Sequence, residues 1–146
     1  MLKGIFANLI GNAIVAAGRA IKVRNLDIYS KNNFRITPEQ YVVLNMIKSG
    51  DYSQKQLCEL LFKDKSNVAR LISVLETKNL IRKTQIIRNG KQINKISLTP
   101  DGEELHAEIT PIMNLSREKY LEDITEDDMY ICIKVLTNIQ KNLEKE

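Results

Sequence analysis

Lys65, Ser66, Asn67, Arg70, Ser73 and Thr77 fall on one side of a helical repeat, and Lys78 follows directly. Every one can donate a hydrogen bond, and Lys65, Arg70 and Lys78 are cationic. Short hydroxyls, an amide and a guanidinium are the groups that donate to phosphate oxygens and read base edges. An ordinary surface helix carries mixed Glu and Lys pairs there instead. A second set, Arg88, Asn89 and Lys91, surrounds Gly90. In a tight hairpin Arg88 and Lys91 stand side by side, and adjacent like charges repel. Such a pair makes sense where it meets an anion.

Catalytic chemistry has little support. His106 is the only histidine. It lies near Glu103 and Glu104 on an acidic helix face and reads as solvated. No motif joins it to Cys58 as a nucleophile pair. There is no glycine-rich phosphate loop, no CxxC and no metal-ligand spacing. The acidic run from Glu118 to Asp128 reads as a solvated helix end with carboxylates in a first turn. No enzyme activity, metal or cofactor is therefore expected. Cys58 and Cys132 have apolar neighbours in helical patterns and suit a reducing cytosol. Cys58 reads as a small buried residue.

The donors need elements to hold them. Ser53-Gln54-Lys55-Gln56 is a capping box opening a short helix, with Leu57, Leu60 and Leu61 on one face. Phe62-Lys63 closes a turn. Asp64 caps a second helix from Lys65 to about Asn79, with Val68, Leu71, Ile72 and Leu75 as its apolar stripe. Ile81 to Ile87 and Gln92 to Leu98 read as strands around Arg88-Asn89-Gly90-Lys91. Asn-Gly tolerates the positive φ of a type I′ turn, which sets Ile86 opposite Ile93, Lys83 opposite Ile96 and Ile81 opposite Leu98.

Before this block, Leu2 to about Ser30 reads as one helix with an apolar face, ended by Lys31-Asn32-Asn33. Its apolar run resembles a signal sequence, but Asn8, Gly11 and Asn12 interrupt it, and it reads as too short to span a bilayer. Asn8, Asn12, Arg19 and Lys22 recur at helical spacing. Thr37-Pro38-Glu39-Gln40 starts the next helix, with Tyr41, Leu44 and Ile47 inward and Ser49-Gly50 as its stop. After the hairpin, Thr99-Pro100 caps a long helix in which Pro111 predicts a kink. Thr125-Glu126-Asp127-Asp128 caps the last helix. Met129, Cys132, Leu136, Ile139 and Leu143 alternate in threes and fours, with Ile133 alongside, as in a coiled-coil seam.

In order and spacing, several runs resemble the MarR family of bacterial and archaeal transcription regulators. They are Ile36 to Gln40, Gln56-Leu57, Asp64 to Ile72, Leu75 to Ile81, and Leu98 to Gly102. The resemblance implies a winged helix-turn-helix in a homodimer, with Lys65 to Asn79 as recognition helix and the hairpin as wing. Asn79 stands where the family usually has Gly, and Asn also adopts the left-handed cap conformation. The wing's usual Asp-Arg-Arg-like run is replaced by Asn89, Gly90, Lys91 and Gln92. The family also implies control by a small, often aromatic, anionic effector bound between the dimer region and the DNA-binding lobe.

Charge agrees with this reading. Residues 53–98 hold ten basic and three acidic residues, net +7, while residues 99–146 hold twelve acidic and five basic, net −7. A positive centre beside a negative tail orients one face to a polyanion. The expected fold is mainly α with a small β-hairpin wing. Residues 37–98 form the winged helix-turn-helix lobe, and residues 1–36 and 99–146 the dimerisation region. Ile5, Leu9, Met129, Cys132, Ile133, Leu136, Ile139 and Leu143 are the expected dimer contacts. The expected protein is a cytoplasmic repressor on a pseudo-palindromic operator. Its partners are double-stranded DNA, its own second copy and an effector, with no membrane. Ser66, Asn67 and Arg70 are expected at base edges, Lys65 and Lys78 near phosphates, and Arg88 and Lys91 along the minor groove. The alternative is a winged-helix protein-interaction module, which would have neutral or apolar residues in place of Arg70, Arg88 and Lys91.

Overall fold

The computed structural model describes residues 2–145. Met1 and Glu146, the outermost residues of the two expected dimerisation segments, lie outside it. The order is α1 (Leu2–Asn32), α2 (Pro38–Ser49), α3 (Gln54–Leu61), α4 (Lys65–Thr77), β1 (Ile81–Arg88), β2 (Lys91–Leu98), α5 (Pro100–Tyr120) and α6 (Glu126–Glu144). Two compact units divide at Ile109–Thr110, beside Pro111, and α5 runs through the division as a continuous helix.

In the first unit, residues 1–109, local signals set most boundaries. Thr37 and Gln40 exchange both capping-box bonds at the start of α2, and Ser53 and Gln56 do so at α3. Asn33, Phe62 and Asn79 adopt positive φ at three helix ends, which stops each helix where its sequence periodicity stops. Val43, Leu44, Leu57, Val68, Leu71, Ile72, Leu75, Leu80 and Ile81 are at most 1% exposed and form the core of this unit. Leu60 is a departure from expectation. It is 46% exposed, because α3 is short and only Leu57 of its three leucines is fully buried. Cys58 is half-buried rather than buried.

The two strands pair antiparallel, with Ile86 opposite Ile93, Lys83 opposite Ile96 and Ile81 opposite Leu98, as expected. Asn89 (φ 52°) and Gly90 (φ 73°) supply the positive dihedrals that the tight turn demands. Gly102 is required for a different reason. A Cβ there would lie 2.0 Å from the Leu80 carbonyl oxygen, so only glycine lets α5 approach the α4–β1 junction. Thr99 completes that junction by donating to the Asn79 carbonyl at 2.6 Å and accepting the Gly102 N–H at 3.0 Å.

Two further expectations are corrected. α1 continues without a break through Asn8, Gly11 and Asn12, so the length limit against a bilayer span fails. By length and composition Gly4–Asn32 is long and apolar enough to cross a membrane, with mean hydropathy 1.4 over its best 18-residue window. Ile5, Phe6, Leu9, Ile10, Ile14 and Val15 are all exposed along it. His106 is half-buried rather than solvated. Its Nε2 lies 2.9 Å from Asn45 Oδ1, and its ring stacks on Tyr41 with centroids 6.0 Å apart. Sequence proximity to Glu103 and Glu104 gave no hint of these partners on α2.

In the second unit, residues 110–146, Thr125 accepts the Asp128 N–H at 3.1 Å and starts α6. No residue of α6 is buried. Ile133 and Leu143 are 58% and 65% exposed, and Cys132 is exposed.

Burial, and next the Lys48 ammonium, lower the pKa of His106 from its ordinary 6.5, while Glu103 opposes the shift. A lowered folded-state value means that the neutral ring stabilises the fold above about pH 6.5, and that this contribution is lost as pH falls through the folded value. The wild type is therefore expected to lose more stability between pH 7.5 and 5.5 than His106→Gln does. Denaturant midpoints at the two pH values measure the difference, and parallel curves would contradict it.

Candidate nucleic-acid interface

The rotation of α4 about its own axis places the candidate donors. Val68, Leu71, Ile72 and Leu75 are each at most 1% exposed. With that stripe fixed inward, Lys65, Ser66, Arg70, Ser73 and Thr77 stand exposed, and Asn67 and Lys78 are half-buried. Asp64 Oδ1 accepts the Asn67 N–H at 2.7 Å and anchors the first turn.

Arg70 does not wave freely. Its Nη2 donates to Asn67 Oδ1 at 2.9 Å, one helical turn back. Glu39, in the first turn of α2, lies 4.0 Å from Arg70 and 3.9 Å from Lys63. Both pairs are long, and Glu39 and Arg70 are exposed while Lys63 is half-buried, so each is worth about 0–1 kcal/mol. A phosphate or base edge can displace them at small cost, so they orient Arg70 without committing it.

At the wing, Arg88 and Lys91 are direct cross-strand partners at the tip. Lys91 and Asn89 are exposed. Arg88 donates from Nη2 to Asp51 Oδ2 at 2.6 Å. The wing is thus tied by its tip to the loop between α2 and α3. Ile87, next to Arg88, is 80% exposed.

The structure brings Lys65, Ser66, Asn67, Arg70, Ser73 and Thr77 onto one helix, and Arg88, Asn89 and Lys91 onto one hairpin end. It engages Lys78 elsewhere: its Nζ donates to the Arg35 carbonyl at 2.8 Å and to Gln40 Oε1 at 3.1 Å. Sequence reasoning missed Asp51 and Glu39. Both are acidic residues of other elements, and nothing in their local sequence points to Arg88 or Arg70.

A cleft of about 490 Å³ opens between α1 and α2 and reaches Arg70. Ile21, Leu26 and Val42 give it apolar wall, while Lys22, Lys63 and Arg70 bring positive charge. Asn25, also in its lining, has a buried Oδ1 with no hydrogen-bond partner in the protein. Among the described residues, no group of three His, Cys, Asp or Glu side chains could hold a metal ion.

Residues 36–92 match the family model described as MarR family. The lobe is a MarR-family lobe. The chain as a whole has the fold of MarR-family transcription regulators. A MarR/EmrR family transcriptional regulator from Acinetobacter sp. ADP1 superposes with a TM-score of 0.76 at 18% identity, over 97% of this chain and 99% of that one. The S. aureus MepR–DNA complex gives 0.70 at 19% identity, over 90% and 94%. The Staphylococcus aureus MarR in complex with salicylate and kanamycin gives 0.67 at 20% identity, over 97% and 95%. In sequence, Uncharacterized protein MJ1254 of Methanocaldococcus jannaschii is 35% identical over 71 residues, or 48% of this chain. The chain spans only 14% of that protein's length.

If Asp51 pins the wing of this MarR-family lobe, Asp51→Asn should loosen the tip without unfolding the lobe. The expected loss of stability is under about 1 kcal/mol, since both side chains are partly exposed. Backbone amide relaxation should show greater mobility at Arg88 to Lys91, with α4 unaffected. An unchanged tip would mean that the ion pair holds nothing.

Proposed function

We propose that the protein is a sequence-specific double-stranded-DNA-binding transcription regulator. It acts in the cytoplasm as a ligand-responsive repressor, a homodimer on a pseudo-palindromic operator. One observation carries this reading: the outer face of α4 is lined with exposed short donors and one arginine, while its inner face is locked into the core. A helix presented this way can enter a major groove with Ser66, Asn67 and Arg70 at base edges and Lys65 at the backbone. The hairpin tip, with Asn89, Lys91 and Arg88, then lies along the flanking minor groove, where the potential draws cations. The exposed Arg70 and Lys91 weigh against the interaction-module alternative, which has no use for them. The MepR neighbour, solved with DNA, adds a precedent for the fold.

The homodimer reading is supported by what the chain leaves uncovered. Ile5 and Leu9 on α1, and Ile133 and Leu143 on α6, are all more than half exposed. Met129, Leu136 and Ile139 are half-buried, and Cys132 joins the same seam. Burying both helices against a second copy, with residues 1–36 and 99–146 as the dimer region, removes this apolar surface from water. The cleft reaching Arg70 suits a small aromatic or anionic effector. It offers apolar walls for a ring and cations for an acid, and it involves the proposed base reader itself.

Sedimentation should give a stable dimer at micromolar concentration; a stable monomer would remove the symmetric half of this reading. Selection from random duplexes should enrich a site with half-sites about one turn, roughly 10 bp, apart. On that site Arg70→Ala should cost about 1–3 kcal/mol and relax one or two base pairs. Lys91→Ala should weaken all duplexes alike and flatten the salt dependence by about one unit of slope. The opposite pattern would reverse the roles of reader and clamp.

A further inference from the structure

Lys78 follows the last turn of α4, and its backbone N–H donates to the Val74 carbonyl at 3.0 Å. Its side chain runs back into the lobe. Nζ donates to the carbonyl of Arg35, in the loop before α2, and to Oε1 of Gln40, in the first turn of α2. Gln40 is 8% exposed, and the same Oε1 accepts the Thr37 N–H at 3.1 Å. Both lone pairs of that oxygen are therefore in use. A flexible lysine gives up rotamer freedom to make such a bridge. The bridge links the end of α4 to the start of α2 at one nitrogen.

We propose that Lys78 is a positioning residue that fixes the C-terminal end of α4 against the α2 start. In doing so it aims Ser66, Asn67 and Arg70 and does not bind phosphate. This rests on the DNA-binding reading above and moves Lys78 out of its set of contacts. Were Nζ to turn to a phosphate, a nearly buried amide oxygen would lose a charge-assisted bond. The positive charge matters here as a clamp on two oxygens of other segments.

The test compares wild type, Lys78→Met, Lys78→Arg and Lys65→Met on the selected duplex and on random duplex, each over a salt series. Lys78→Met should keep the wild-type salt slope and lower the cognate-to-random ratio roughly tenfold, the size of an ordinary coupling between contacting residues. Lys78→Arg, which can donate to the same two oxygens, should restore the ratio. Lys65→Met should instead lose about one unit of slope. Hydrogen exchange of the DNA-free protein should speed in the last turn of α4 in Lys78→Met and stay unchanged in the first. A slope loss like that of Lys65→Met with the ratio intact overturns the proposal, and so does unaltered exchange. If Lys78→Met fails to fold, Lys78→Gln is read in its place. It keeps a donor without the charge, so a retained slope supports positioning and a lost unit overturns it. If the wild type selects no duplex at all, the DNA-binding reading fails, and the exchange comparison still decides whether Lys78 holds α4.

Discussion

The burial of one side of α4 governs everything the lobe can present. Val68, Leu71, Ile72 and Leu75 occupy the core of the first unit with essentially no exposure. Burying a Val, Leu or Ile contributes about 1.5–3 kcal/mol each, an upper estimate against a real unfolded chain. The exposed ion pairs on the outer face contribute about 0–1 kcal/mol each. Turning α4 by one residue would therefore forfeit far more than any rearrangement of the outer face could return. The positions of Arg70, Ser66 and Thr77 are consequences of the packing behind them.

On that fixed platform the charges are arranged with restraint. Segment 53–98 carries net +7, and three of its long cations, Lys63, Arg70 and Arg88, meet carboxylates of neighbouring elements. Glu39 stands between Lys63 and Arg70, and Asp51 holds Arg88. Each contact narrows the conformations of a flexible side chain before a partner arrives, which reduces the ordering cost of association. Each is also exposed enough to be exchanged for a stronger anion. The short Arg88–Asp51 pair and the long Arg70–Glu39 pair differ in this respect. The first ties a hairpin to a loop, and the second only biases a rotamer.

Local chemistry was legible in the sequence and long-range chemistry was not. Both capping boxes, the Asp64 cap, the left-handed Asn79 and the whole hairpin register follow from residues within four positions of each other. The stripe of α4 followed from its period. The bond of Arg88 to Asp51 spans 37 residues, that of Lys78 to Arg35 spans 43, and the His106–Asn45 contact spans 61. No periodicity encodes such pairs. Lys78 was expected near phosphates and His106 in solvent, because neither residue's sequence neighbours hint at Arg35, Gln40 or Asn45. Leu60 erred the other way: an apolar residue at the right spacing stays exposed because an eight-residue helix has room to bury little.

The apolar surface of α1 raises a choice between a bilayer and a second copy, and the arrangement of polar residues bears on it. Asn8, Asn12, Arg19 and Lys22 lie in one stripe along α1 at helical spacing. In hydrocarbon, the two asparagines near the middle of the apolar window would need partners for every amide group, and an isolated helix has none to give. Against a second protein copy the stripe can stay in water while Ile5, Leu9 and their neighbours are covered. A membrane would also account for α1 alone. The seam of α6 is likewise uncovered, and that helix opens with Glu126, Asp127 and Asp128 and carries Lys134 and Lys141 along its length. It is too polar for lipid and too apolar on one face for water. A second copy could cover the apolar face of each helix, whereas a membrane leaves the face of α6 unexplained, and this favours the proposed dimer over a bilayer.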